Sequence, residues 1–267
     1  MIWSFKQQLK YEYRAGIKVR WKQYMGLVLV FFLLGACIYH SAGEKVAGNL
    51  TLTDYLVKIF SGIDEMKKAD RTMAFYLPKE WGVVEILYLL FVVNYPKSDY
   101  EQRGYQVILR TKSKSMWWIG KCSWLVMTTI CYYGIFYLVM LVCSMFRYQD
   151  MTVRNVWGIQ QIILSHGEGI LSIYLMPWIT MLAIAFVMIL LSMTFNQIVA
   201  VSAAICYLIS AVYISKSWLL GNYTMLLRNQ QILGSDGVTC RQGILFSLGI
   251  IIITTLVGMK YMKNKKL

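Results

Sequence analysis

The chain has 267 residues, of which 58% are hydrophobic and only 15% charged, against about 25% charged in a typical soluble domain. Together with a mean hydropathy of +0.51, this sets aside a disordered chain, a coiled coil and an ordinary cytosolic enzyme, and predicts an all-α integral membrane protein. The 27 Lys and Arg against 13 Asp and Glu give a net charge of +14; most of the basic residues flank apolar runs, which points to membrane topology and lipid headgroups, with no nucleic acid partner.

In chain order, segment 1–22 comes first and carries Lys6, Lys10, Arg14, Lys18, Arg20 and Lys22. An apolar row in steps of four, Phe5, Leu9, Tyr13, Ile17 and Trp21, runs beside a basic row, Lys6, Lys10, Arg14, Lys18 and Lys22. This predicts an amphipathic helix lying in the membrane interface. The segment is too long for a signal n-region, and no convincing small-residue cleavage site follows it. Six spans are then expected, at about 23–43, 81–96, 117–146, 169–193, 197–215 and 242–259. Thr53 is expected to cap a short helix through Phe60 in the segment between the first two. The second span carries Glu85, placed one turn from its outer end and within reach of water, and Pro96 is expected to end it. Gly169–Ser215 has no charge at all and is too long for one span, so a tight turn is expected at Asn196-Gln197.

Charge sets the orientation. With six spans and the N-terminus inside, sixteen basic residues are cytoplasmic and eleven are outside. If the second run does not span, the numbers reverse, which the positive-inside rule rejects. Both termini and Lys112 are therefore expected inside, and Lys67 and Asp236 outside.

Catalytic patterns are missing from the sequence. There is no His-Glu-x-x-His and no Gly-x-Ser-x-Gly. His40 is isolated, and His166-Gly167-Glu168 has no second group of ligands beside it. Gly120-Lys121-Cys122 lacks both the upstream glycine and the Ser/Thr of a nucleotide loop. The cysteines form no Cys-x-x-Cys pair; Cys240 alone is expected to face water. Asn49-Leu50-Thr51 and Asn222-Tyr223-Thr224 are glycosylation-type tripeptides. Ala200 and Ala204 have a spacing that permits close helix approach, either within the chain or between subunits.

One stretch carries a resemblance. Glu101-Gln102-Arg103-Gly104 leads through Val107, Ile108, Leu109 and Arg110 and through Ser113-Lys114 to Gly120-Lys121, where the third span begins. This resembles the cytoplasmic loop of type-2 ABC transporter permeases, and the arrangement around it resembles their small six-span members of bacteriocin or lantibiotic export and immunity. Lys114 departs from the commoner arginine, and Trp117-Trp118 are unusually bulky. The resemblance implies a multi-pass permease subunit of a bacterial cell membrane, with an antimicrobial peptide or other amphipathic molecule as substrate. It implies two cytoplasmic ATPase subunits as partners, with ATP and Mg on those chains and no cofactor on this one. It also implies a second permease subunit, identical or homologous, for which Ala200 and Ala204 are candidate interface residues. Tyr100, Glu101, Arg103, Gly104, Tyr105, Ile108, Leu109 and Arg110 would be the ATPase-coupling residues, bulky side chains filling a partner's groove and basic ones meeting its acidic rim. The alternatives are an ATP-independent secondary transporter or channel, which needs polar or broken helices at the midplane, and an intramembrane enzyme, which needs convergent polar groups.

Overall fold

The computed structural model describes residues 5–42, 50–63, 77–111, 113–145, 167–234 and 237–265. Asn49, Lys67, Lys112, His166, Asp236 and the side chains of Tyr105 and Glu168 lie outside the described part, and with them the expectations placed on those groups.

The described chain is helical. α1 (Phe5–Glu12) passes through a widened π turn, Tyr13–Ile17, and a tight 3-10 turn, Lys18–Arg20, into α2 (Trp21–Ala42). There follow α3 (Leu52–Phe60), α4 (Lys79–Asp99), a π turn at Tyr100–Gly104, α5 (Tyr105–Thr111), α6 (Lys114–Met145), α7 (Gly167–Tyr174), α8 (Met176–Thr194), α9 (Gln197–Tyr213), α10 (Gln230–Leu233) and α11 (Cys240–Asn264). Among the described residues four stretches, Phe5–Ala42, Lys114–Met145, Met176–Thr194 and Cys240–Asn264, are long and apolar enough to cross a membrane. In hydrocarbon every backbone polar group must be satisfied within the segment, and a helix does this.

α8 is the axis of the bundle. It touches α4, α6, α9 and α11 and is buried along most of its length. α2 leans on α6 from outside and leaves Leu29 and Leu33 exposed, while α11 exposes Leu245, Ile252, Ile253 and Leu256. Such apolar outer faces on long helices are compatible with a lipid surround. Edge-on aromatic contacts close the core between α2, α4 and α6: Phe31–Tyr132 at 5.3 Å, Phe31–Phe136 at 5.2 Å and Tyr88–Tyr132 at 5.2 Å between ring centroids.

Several local expectations are corrected. Thr51, not Thr53, caps α3: its hydroxyl accepts from the Asp54 N–H while the Asp54 carboxylate accepts from the Thr51 N–H. Thr53 has Leu56 three residues on and so lacks the acidic half of this reciprocal cap. Pro96 does not end the second helix, which runs on to Asp99; one missing backbone bond near a helix end is tolerated where the surrounding side chains are packed. Glu85 does not reach water. It is fully buried and accepts a 2.8 Å hydrogen bond from the Tyr133 hydroxyl. Cys240 is buried too, with Sγ 2.9 Å from Ser172 Oγ. Asn222 is buried, and its amide donates to the carbonyls of Ile214 and Lys216, so the folded chain does not present it for glycosylation. The uncharged run divides at Asn196, whose side chain caps α9 by accepting from the Val199 N–H at 2.7 Å.

Candidate functional site

Beside its apolar and basic rows the N-terminal segment carries a third row, and that one meets the bundle. Both predicted rows are turned outward at several positions: Phe5, Tyr13 and Trp21 are exposed, and so are Lys6, Lys10, Arg14, Lys18 and Lys22. The row turned to the bundle is a third one, Gln8, Glu12 and Gly16, which brings a carboxylate, not an apolar stripe, against α6. The reason lies at the start of α6. Lys121 is 1% exposed, and a cation cannot be buried there without anions to match it.

Two carboxylates from different elements supply that match. Lys121 Nζ donates at 2.8 Å to each of Glu12 Oε1 and Oε2 and lies 2.7 Å from Asp99 Oδ2. The remaining lone pairs are mostly taken. Tyr95 donates to Glu12 Oε2 at 3.0 Å, Gln8 Nε2 donates to Glu12 Oε1 at 3.0 Å, and Tyr11 donates to Asp99 Oδ1 at 2.6 Å. Aromatic faces complete the shell: Lys121 Nζ stands 4.5 Å from the Tyr95 ring centroid and 5.2 Å from that of Trp117. Two glycines make this approach sterically possible. A Cβ on Gly16 would overlap the Trp124 indole, and one on Gly120 would sit 2.6 Å from Gln8 Nε2. The Gly120-Lys121 pair is thus one device: the glycine admits the N-terminal segment and the lysine neutralises the acid it brings.

Segment 100–111 hangs from this cluster. Asp99 is its last helical residue before the π turn, Tyr100 packs edge-on against Trp117 at 5.2 Å, and Val107 and Ile108 are buried as α5 lies on α6. The far end of the chain joins in. Lys265 Nζ sits 4.7 Å from the Tyr100 ring centroid and donates to the Met193 carbonyl at 3.3 Å, and Lys114 donates to the Lys265 carbonyl at 2.6 Å. Burial lowers the Lys265 pKa, reinforced by the charge of Lys97 and opposed by Glu101; burial likewise raises that of Tyr100.

The predicted coupling residues therefore separate. Glu101, Arg103, Leu109 and Arg110 are exposed, Leu109 by 57%. Ile108 and Gly104 are buried and Tyr100 is half-buried within the chain, so Ile108 anchors α5 on α6 and is not offered to a partner. Ala200 and Ala204 are buried as well, because that face of α9 packs on α8 and α4; the small side chains serve close approach inside the chain, and the outward face of α9 is formed by Ile198, Val199, Ser202 and Ala203. Sequence reasoning missed Glu12 and Asp99. A signal was present, since Glu12 is the sole acidic residue in 1–22.

At the opposite end Arg228 is buried and forked over the last turn of α9. Its guanidinium donates to the carbonyls of Ala211, Val212 and Ile214, to Asn222 Oδ1 and to the Ile63 carbonyl, a positive group at a helix C-terminus. No group of three or more His, Cys, Asp and Glu able to hold a metal occurs among the described residues. No family model matches the chain, and neither a curated protein nor a solved structure is found to be similar to it.

Proposed function

We propose that this chain is the six-span permease subunit of an ATP-driven ABC exporter, with both termini in the cytoplasm and ATP hydrolysis on separate partner chains. The observation that carries the proposal is the closed Glu12–Lys121–Asp99 cluster, which ties the N-terminal segment, the end of α4 and the start of α6 to the short helix α5. A subunit that receives force from a soluble motor needs such a rigid foot between two spans. Among its described side chains α5 offers one exposed apolar group, Leu109, beside the exposed charge Arg110, a composition suited to a small docking contact. In this reading α4 and α9 complete the six spans with the four longer apolar stretches, and an amphipathic molecule such as an antimicrobial peptide is the substrate.

Purification of the tagged chain from its native membrane in mild detergent tests this. A co-purifying chain with Gly-x-x-x-x-Gly-Lys-Ser/Thr and Mg-ATP hydrolysis is expected. Leu109→Asp should weaken that association about tenfold or more, as the loss of an anchoring contact does. A chain that purifies alone, with transport that survives ATP depletion, overturns the proposal in favour of an ATP-independent transporter or channel.

A further inference from the structure

Beside the buried cluster, two adjoining grooves open to the surface. One, of about 470 Å³, is lined by Gln7, Lys10, Tyr11, Arg14 and Arg103. The other, of about 290 Å³, shares Arg103 with the first and adds Arg20, Ser98 and Asp99. The charges around them do not balance. Asp99 is occupied by Lys121 and Tyr11, and Glu12 by Lys121, Tyr95 and Gln8. Arg20 is engaged with the Phe91 carbonyl and the Gln23 side chain. Lys10, Arg14 and Arg103 remain as three exposed cations drawn from α1 and the two π turns, Tyr13–Ile17 and Tyr100–Gly104, onto one concave surface.

Depth narrows the ligand. The second groove reaches from the end of α4 to Arg20 and Gln23 at the start of α2; the intervening Trp21 is 59% exposed, the kind of residue that marks the headgroup layer of a membrane protein. An anion with several acceptor oxygens is the chemistry that two guanidinium forks and an ammonium recognise, and basic pockets beside membrane helices take such headgroups. We propose that this groove binds the phosphate-bearing headgroup of an anionic phospholipid, with Arg14 and Arg103 as forked donors and Lys10 as the third cation. A bound headgroup bridges α1 to the turn at 100–104, fastening the N-terminal segment from outside as Lys121 fastens it from within. The inference requires membrane embedding and does not depend on a partner ATPase.

Lipid retention by the purified full-length chain, measured by native mass spectrometry with added phosphatidylglycerol or phosphatidylcholine, tests it. Phosphatidylglycerol should be retained in preference. Lys10→Gln/Arg14→Gln/Arg103→Gln should weaken its retention at least about tenfold. A control, Lys6→Gln/Lys18→Gln/Lys22→Gln, removes as many charges from the neighbouring surface without touching the groove and should change retention less than about twofold. If the triple groove variant is unstable, Lys10→Gln and Arg14→Gln singly, both at exposed positions, should each weaken retention about threefold. An unchanged groove variant, an equal loss in the control, or equal retention of phosphatidylcholine overturns the proposal. Displacement of the lipid by millimolar inorganic phosphate assigns the groove to a soluble phosphate and overturns the lipid assignment.

Discussion

Replacing Lys121 by methionine removes the one cation shared by Glu12 and Asp99 and leaves two buried carboxylates facing each other. Oxygens of the two groups lie within 2.8 Å of the same nitrogen, so they are no more than about 5.5 Å apart, and two full charges at that distance repel by about 3 kcal/mol at an effective dielectric of about 20. Breaking a buried pair by deleting one partner costs about 3–5 kcal/mol in general, so the two figures agree. The weakest element carrying one of the carboxylates is α1, only eight residues long, and it should undock first. Amide hydrogen exchange across Phe5–Glu12 in detergent micelles should therefore quicken by about two orders of magnitude in Lys121→Met, since 1.36 kcal/mol is a factor of ten. Glu12→Gln alone keeps the Lys121–Asp99 pair and should cost far less. The decisive case is the double variant Glu12→Gln/Lys121→Met, where no carboxylate pair remains to repel; its exchange should be slower than that of Lys121→Met. A double variant that exchanges as fast as the single one, or faster, refutes the reasoning.

Gly16→Ala should undock the same segment by a steric route, because the added methyl meets Trp124 and Tyr95; overpacking of this kind costs about 1–3 kcal/mol, so exchange across α1 should rise about tenfold or more, and unchanged exchange counts against the close approach. Arg228→Met should loosen the opposite end. It strips the donors from the last turn of α9 and from Asn222, and buried acceptors left without partners cost about 1–3 kcal/mol each. The check is the thermal unfolding midpoint in detergent, which should fall clearly below that of the parent chain.

The four long apolar helices were legible because the length that can cross a bilayer, about 20 apolar residues in helical form, is a feature that composition alone reveals. The turn at Asn196 was legible for the same reason, since an uncharged run of that length must fold back once. The buried cluster was not. Glu12 and Lys121 are 109 residues apart, and a carboxylate in a basic segment has the same sequence signature whether it faces solvent or closes an ion pair. Periodicity brings out the apolar and basic rows of segment 1–22, both exposed at several positions, but is silent on the third row, Gln8, Glu12 and Gly16, which is buried. Glu85 shows a related limit. Run length placed it near a helix end, but its depth is set by α6, which crosses α4 and brings Tyr133 to it. Cys240 precedes an apolar run, which by sequence alone places it in water, and only the return of Ser172 and Asn229 to the same point buries it.

Neither charge of the Glu12–Lys121 pair could be buried alone, since an isolated ion in such surroundings costs several kcal/mol. The docking of α1 and the burial of the start of α6 are therefore one event: each requires the other. Asp99 adds the end of α4 to the same event, and the Tyr100–Trp117 and Lys265–Tyr100 contacts add the π turn and the end of α11. A displacement applied to α5 cannot be absorbed by its own connections, because α5 follows Asp99 by a five-residue turn and precedes α6 almost directly. It must move α4 against α6 or open the cluster. Under the proposed function the first outcome is useful work and the second is slippage, and the cluster's energy is what separates them. On that argument, variants that weaken the cluster without touching α5 should leave the partner's ATPase activity in place while transport per ATP falls.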